Sequence, residues 1–65
     1  MAQIRLFFRL NGETKFVEVS PLTDELIRRR LEKKNRGIQE LANAVYYAYG
    51  DVTEELILRY LDNAD

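Results

Sequence analysis

The 65-residue sequence contains no cysteine, no histidine and no tryptophan, and its three glycines stand apart at positions 12, 37 and 50. Without cysteine and histidine the chain has no disulfide, no thiolate or imidazole metal ligand, and no Cys nucleophile or His general base. Isolated glycines do not build a phosphate-binding loop. The single serine, Ser20, has no histidine to activate it. We therefore expect no enzymatic activity, no cofactor and no metal.

Long apolar runs are also missing. No stretch approaches the roughly 20 residues that a membrane-spanning helix needs, and Arg5 and Arg9 interrupt the segment that a signal peptide would keep apolar. The lack of cysteine fits a reducing compartment. We expect one cytoplasmic domain over residues 1–65 with no membrane partner. A domain this small buries only about 60% of its unfolded surface, so a second chain would help to stabilise it.

The sequence does contain a clear change of hydrophobic period at its single proline, Pro21. Before it, apolar residues alternate, which is typical of strands, and after it they recur at helical spacing. The pattern predicts an α+β domain in which a β-hairpin (3–10 and 13–19) precedes three helices (24–35, 38–49 and 54–63) that form a bundle.

The dipeptide Asn11-Gly12 sets the predicted register of the hairpin, because a type I′ turn needs positive φ at both central residues. One face then carries the alternating apolar residues and is expected to meet the helices: Ile4, Leu6, Phe8, Val17 and Val19. The opposite face carries Phe7 paired with Phe16, beside Arg5 paired with Glu18. If the helices cover only the first face, both phenylalanines are left exposed.

Capping residues predict where the helices begin and end. Thr23 is the expected N-cap of the first helix, with Leu22 packing onto Ile27 as a hydrophobic staple. The other signals are Gly37 as the left-handed residue after the first helix, Gly50 as the end of the second, and Asp51 or Thr53 as the cap of the third.

Four residues are candidates for protein binding. Phe7 and Phe16 lie on the outer face of the hairpin, while Tyr47 and Leu58 fall outside the apolar stripes of their helices. Aromatic side chains give a large contact area at a low cost in conformational entropy, which favours them at interfaces. The alternative is that these side chains fill gaps in a small core.

A cluster of bases in the first helix is the second candidate site: Arg28, Arg29, Lys33, Lys34 and Arg36. Residues 23–36 carry a net charge of +3, whereas residues 37–65 carry −5. Clustered bases bind phosphates or an acidic partner. They also form ordinary solvated helix faces, and Glu25/Arg29 and Glu32/Arg36 have the spacing of intrahelical ion pairs.

Residues 23–63 resemble the UBA-like three-helix bundles, which include the N-terminal module of elongation factor Ts. The matching features are Arg36-Gly37-Ile38 between the first two helices, Ala44, and Gly50-Asp51-Val52 before the third. The resemblance implies a protein-binding module that uses the 35–38 loop and the end of the third helix. Ubiquitin-binding members usually have Met-Gly-Phe where this chain has Arg-Gly-Ile, which argues against ubiquitin as the ligand.

The features together predict a small non-catalytic protein-interaction module that binds a protein partner or itself, most simply as a homodimer. The alternative function is nucleic-acid binding through the basic helix, residues 28–36. Compact chains of this type occur among small phage proteins and among designed proteins, and the sequence leaves both origins open.

Overall fold

The computed structural model describes residues 2–63, which form a hairpin followed by three helices. The elements are β1 (Ile4–Leu10), β2 (Glu13–Val19), α1 (Pro21–Lys34), α2 (Ile38–Tyr49) and α3 (Glu54–Asn63). This confirms the α+β class and the change of structure near Pro21. None of the helices described is long and apolar enough to cross a membrane.

The hairpin has the predicted register. Asn11 and Gly12 have φ values of 53° and 82°, which fit a type I′ turn. The strands are antiparallel, with Leu10 opposite Glu13 next to the turn and Phe7 opposite Phe16 in the middle. Because side chains alternate between the two faces of a strand, this register decides which residues meet the helices.

All three helices contribute to one core against a single face of the hairpin. α2 packs along β1, α3 contacts both α2 and β2, and α1 packs on α3. The buried apolar residues are Phe8, Leu10, Val17, Val19, Ile27, Leu41, Ala42, Val45, Ile57 and Leu61. Ile4 and Leu6, which were also expected on this face, pack against the core but are only half-buried.

The start of α1 differs from the prediction. Ser20, not Thr23, is the N-cap, and its hydroxyl accepts a hydrogen bond from the Thr23 N–H at 3.2 Å. Pro21 occupies the first turn, where its fixed φ suits a helix and its missing N–H costs nothing. The predicted staple from Leu22 to Ile27 is therefore wrong, because Leu22 lies inside the helix and is 72% exposed.

The end of α1 also differs. Asn35, not Gly37, adopts the left-handed conformation, with φ 54° and ψ 48°, which asparagine tolerates better than most residues. Its N–H donates to the Glu32 carbonyl, and Arg36 N–H donates to the Leu31 carbonyl. Gly37 has φ −104° and instead precedes α2 as its N-cap.

The remaining helix ends follow the prediction. Gly50 ends α2 with φ 79°, and its N–H donates to the Tyr46 carbonyl. Of the two alternatives for the cap of α3, Thr53 is the one used, because its Oγ1 accepts from the Leu56 N–H at 3.2 Å. The Asp51 carboxylate accepts from the N–H of Val52 instead.

Truncation of Leu41 to alanine tests the packing of α2. Leu41 is buried in the core, and removing a buried leucine side chain typically costs about 2–5 kcal/mol. We expect Leu41→Ala to lower the free energy of unfolding, measured by urea denaturation, by an amount in this range. Tyr47→Ala is the matched control, since Tyr47 lies on the same helix and is 84% exposed. Equal effects of the two changes would contradict the assigned helix face.

Candidate functional site

The open face of the hairpin carries a pair of exposed aromatic rings. Phe7 and Phe16 are 58% and 48% exposed, and their ring centroids lie 5.7 Å apart at an interplanar angle of 49°. The Arg5 guanidinium carbon lies 5.0 Å from the centroid of the Phe16 ring, and Arg5 also approaches Glu18 at 3.8 Å. The helices thus cover one face only, and the other presents an apolar centre beside an exposed ion pair.

The two outer edges of the hairpin differ. The edge of β1 is closed at Arg9 by a side chain of α2. The side-chain amide of Gln39, on α2, bonds to the backbone of Arg9 in both directions. Arg9 N–H donates to Gln39 Oε1 at 2.7 Å, and Gln39 Nε2 donates to the Arg9 carbonyl at 2.6 Å. This amide takes the place of a neighbouring strand, so a further strand cannot pair with β1 at this point.

The same contact shows which backbone groups of β2 point outward. Since both polar groups of Arg9 point away from β2, the Arg9–Thr14 pair is a non-hydrogen-bonded pair of the antiparallel ladder. By alternation, the backbone N–H and C=O groups of Thr14, Phe16 and Glu18 face away from β1. Within residues 2–63 these outward groups have no hydrogen-bond partner.

The outer edge of β2 is closed only just beyond its end. There the backbone N–H of Ser20 donates to Glu54 Oε2, from α3, at 2.6 Å. Val17 and Val19 of this strand are buried in the core, and its other side chains are exposed: Glu13, Thr14, Lys15, Phe16 and Glu18. The open edge of β2 therefore runs directly beside the exposed phenylalanine pair.

Tyr47 and Leu58 do not join this surface. The ring of Tyr47 makes an edge contact with Tyr46, with centroids 5.8 Å apart, and neither ring contacts the phenylalanine pair. Leu58 is half-buried, so the expectation that it lies outside the packed side of its helix holds only in part. The four predicted protein-binding residues are thus split among different places.

A further apolar patch was not predicted from the sequence. Leu22 and Leu26, on α1, are 72% and 43% exposed and border a shallow depression with Glu25 and Arg29. Pro21 at the first position of α1 was the signal that could have revealed it. A helix that starts there places Leu22 in its first turn, one turn before Leu26.

The five basic residues predicted as a site are exposed, and three of them are paired with carboxylates. Arg28 Nε lies 2.7 Å from the carboxylate of Asp24, which is itself buried, and Arg29 lies 2.8 Å from Glu25. The predicted Glu32–Arg36 pair is wrong, because Arg36 approaches Glu40 instead, at 4.0 Å.

Lys33 and Lys34 have no carboxylate within ion-pair distance in the part of the chain described. Lys34 helps to line a shallow depression between α1 and α3, together with Arg30, Leu31, Arg36, Leu41, Tyr60 and Leu61. Neighbouring carboxylates thus balance part of the positive charge in this region. The charges of Lys33 and Lys34 are not balanced by an ion pair within residues 2–63.

Comparison with protein families, curated proteins and solved structures finds no match to this chain. The resemblance of residues 23–63 to UBA-like bundles therefore stays a prediction, as does the expected use of the 35–38 loop for binding.

Replacing Gln39 tests the closed edge of β1. Gln39→Met keeps a side chain of similar length but removes both hydrogen bonds to Arg9. We expect the free energy of unfolding to fall by about 1–2 kcal/mol, since a net hydrogen bond is worth about 0.5–1.5 kcal/mol. The matched control is Glu40→Met, the neighbouring exposed position on α2, which should change stability by less than about 0.5 kcal/mol. A control effect as large as that of Gln39→Met would contradict this role.

Proposed function

We propose that this protein is a small non-catalytic interaction module that associates with a protein partner or with itself through the open face of its hairpin. The observation that carries the proposal is the exposure of Phe7 and Phe16 side by side on the face that the helices leave uncovered. A cytoplasmic location belongs to the same proposal.

This face suits binding because its apolar rings are exposed and are held in place by contact with each other. A contact between two aromatic rings on adjacent strands holds both rings in place before any partner arrives, which lowers the entropy cost of binding. The charged pair of Arg5 and Glu18 borders the rings, as polar residues commonly border the apolar centre of an interface. Tyr47 and Leu58 lie apart and are secondary candidates.

The test compares two double variants, each of which removes one exposed apolar patch. In Phe7→Thr/Phe16→Thr the strands keep β-favouring residues but lose both rings. In the control, Leu22→Gln/Leu26→Gln, the other exposed apolar patch is removed while α1 keeps helix-favouring residues. Sedimentation equilibrium measures self-association, affinity capture from the source cell measures partner binding, and circular dichroism checks the fold.

We expect the threonine variant to lose association while its circular dichroism spectrum stays native, and the glutamine variant to associate as the parent does. Loss in the glutamine variant alone would move the binding surface to α1. If neither variant changes association, or if the parent associates with nothing in either assay, the proposed function is wrong.

The alternative function is nucleic-acid binding through α1, and it is favoured by Lys33 and Lys34, whose charges are not paired with any carboxylate among residues 2–63. Binding to phosphates would release counterions and weaken steeply with salt. Against it, the whole chain has a net charge of −1, which opposes approach to a polyanion.

We expect no measurable binding of the parent to generic duplex DNA or RNA at about 0.15 M salt. Few basic side chains are free of ion pairs, and the net negative charge of the chain repels the phosphates. Fluorescence anisotropy with labelled duplexes is the measurement. Binding that weakens steeply with salt and is lost in Lys33→Glu/Lys34→Glu would instead establish the alternative. Arg28 is unsuitable for charge reversal, since a glutamate there would face the buried Asp24.

A further inference from the structure

The open edge of β2 offers a second, more specific binding site than the aromatic face alone. We propose that β2 pairs edge to edge with β2 of a second copy of this chain, antiparallel across a twofold axis at Phe16, to give a continuous four-stranded sheet. This inference rests on the proposed function, because it names the partner and the geometry for that same surface.

The edge of β1 is interrupted at Arg9, whereas the edge of β2 is open from Thr14 to Glu18. Gln39 occupies the backbone of β1 at Arg9, whereas the outward groups of Thr14, Phe16 and Glu18 have no partner in the described chain. A row of unpaired backbone groups is a template for another strand. On the helix-covered face Lys15 is exposed and Val17 is buried, so the helices leave the half of this edge nearer the turn accessible.

The sequence of β2 is also self-complementary about Phe16. With Phe16 opposite Phe16 of the second copy, Thr14 lies opposite Glu18 and the outward groups of all three residues meet as hydrogen-bonded pairs. The open faces of both copies lie on the same side of the sheet. Phe7 and Phe16 of each copy then form one row of four rings across it, a favourable arrangement of cross-strand neighbours.

The charges favour this register over its neighbours. Glu18 faces the neutral Thr14 of the second copy, and its other neighbour is Arg5 of its own hairpin. Moving the twofold axis by one residue toward the turn, from Phe16 to Lys15, would place Lys15 opposite Lys15 of the second copy. Like charges directly opposite each other are destabilising. Moving the axis the other way, to Val17, would place Thr14 opposite Ser20, whose N–H already donates to Glu54, so this register has one hydrogen-bonded pair fewer.

The small size of the surface determines how strong the dimer can be. The contact is one short strand edge with its aromatic row, which is small beside the about 1,600 Å² of a standard interface. We therefore expect a weak dimer that forms at high protein concentration. It can form despite the small contact because both strands are already ordered, so binding carries no entropy cost for ordering a flexible peptide.

Removing one backbone donor tests the edge directly. In chemically synthesised protein, N-methylation of Phe16 removes an outward N–H and leaves every side chain in place. N-methylation of Phe7 is the matched control, with the same side chain and an outward N–H on β1. We expect the dimer Kd from sedimentation equilibrium to rise at least about tenfold for the first and to stay unchanged for the second, because two hydrogen bonds cross the axis at Phe16.

Cysteine pairing tests the register, and the chain has no cysteine of its own to interfere. Thr14→Cys and Glu18→Cys are made separately and oxidised alone or mixed. Opposite residues of a hydrogen-bonded pair have Cα atoms about 5.5 Å apart, within reach of a disulfide. We expect a disulfide-linked heterodimer from the mixture and none from either variant alone. A homodimer of Thr14→Cys, or no heterodimer, would overturn the register.

The outcomes separate this inference from the proposed function. If Phe7→Thr/Phe16→Thr abolishes association but N-methylation of Phe16 does not, the open face binds and the strand-edge dimer is wrong. A parent protein that stays monomeric at high concentration also overturns the dimer, while partner capture through the open face would leave the proposed function standing. If association is lost with N-methylated Phe16 and kept with N-methylated Phe7, the strand-edge dimer is supported.

Discussion

The turn at Asn11-Gly12 is the constraint on which the rest of the structure depends. Positive φ at both residues is compatible with a two-residue connection, and that connection fixes Leu10 opposite Glu13. Side chains alternate with a period of two, so a slip of one residue would exchange the two faces of a strand. The turn therefore determines that Val17 and Val19 are buried while Phe16 is exposed. It also determines which backbone groups point away from the sheet.

The helices cover the two strands of the hairpin differently. α2 lies along β1 and supplies Gln39, whose amide pairs with the Arg9 backbone. α3 packs on β2, but its hydrogen bond to the backbone there lies just beyond the strand, from the Ser20 N–H to Glu54. Two-stranded sheets are marginally stable alone and expose both edges. In this chain the helices bury one face and close the edge of β1 at Arg9, whereas the second face and the edge of β2 up to Ser20 are left accessible.

The sequence predicted the parts of the fold that depend on local patterns. Alternation of apolar residues and the Asn11-Gly12 signal predicted the strands and their register, and helical spacing with Gly50 and Thr53 predicted α2 and α3. The ends of α1 were misassigned because several residues competed for the same role. Ser20 precedes a proline suited to the first turn, and Asn35 reaches the left-handed region before Gly37 does. The contact of Gln39 with Arg9 joins residues 30 positions apart, and no local pattern reports such a pairing.

The exposed phenylalanines were easier to predict than the open edge beside them, because exposure depends on a local pattern and the edge depends on long-range packing. Their exposure follows from the alternation and from the assumption that three short helices cover one face. Whether an edge is open depends on where the helices lie, which the packing of α2 on β1 and of α3 on α2 and β2 decides. A chain with no disulfide and a small core gains little from leaving such an edge unpaired. Pairing that edge would satisfy its backbone groups and remove the adjacent rings from water in a single contact, so one association would stabilise the fold and form the interface.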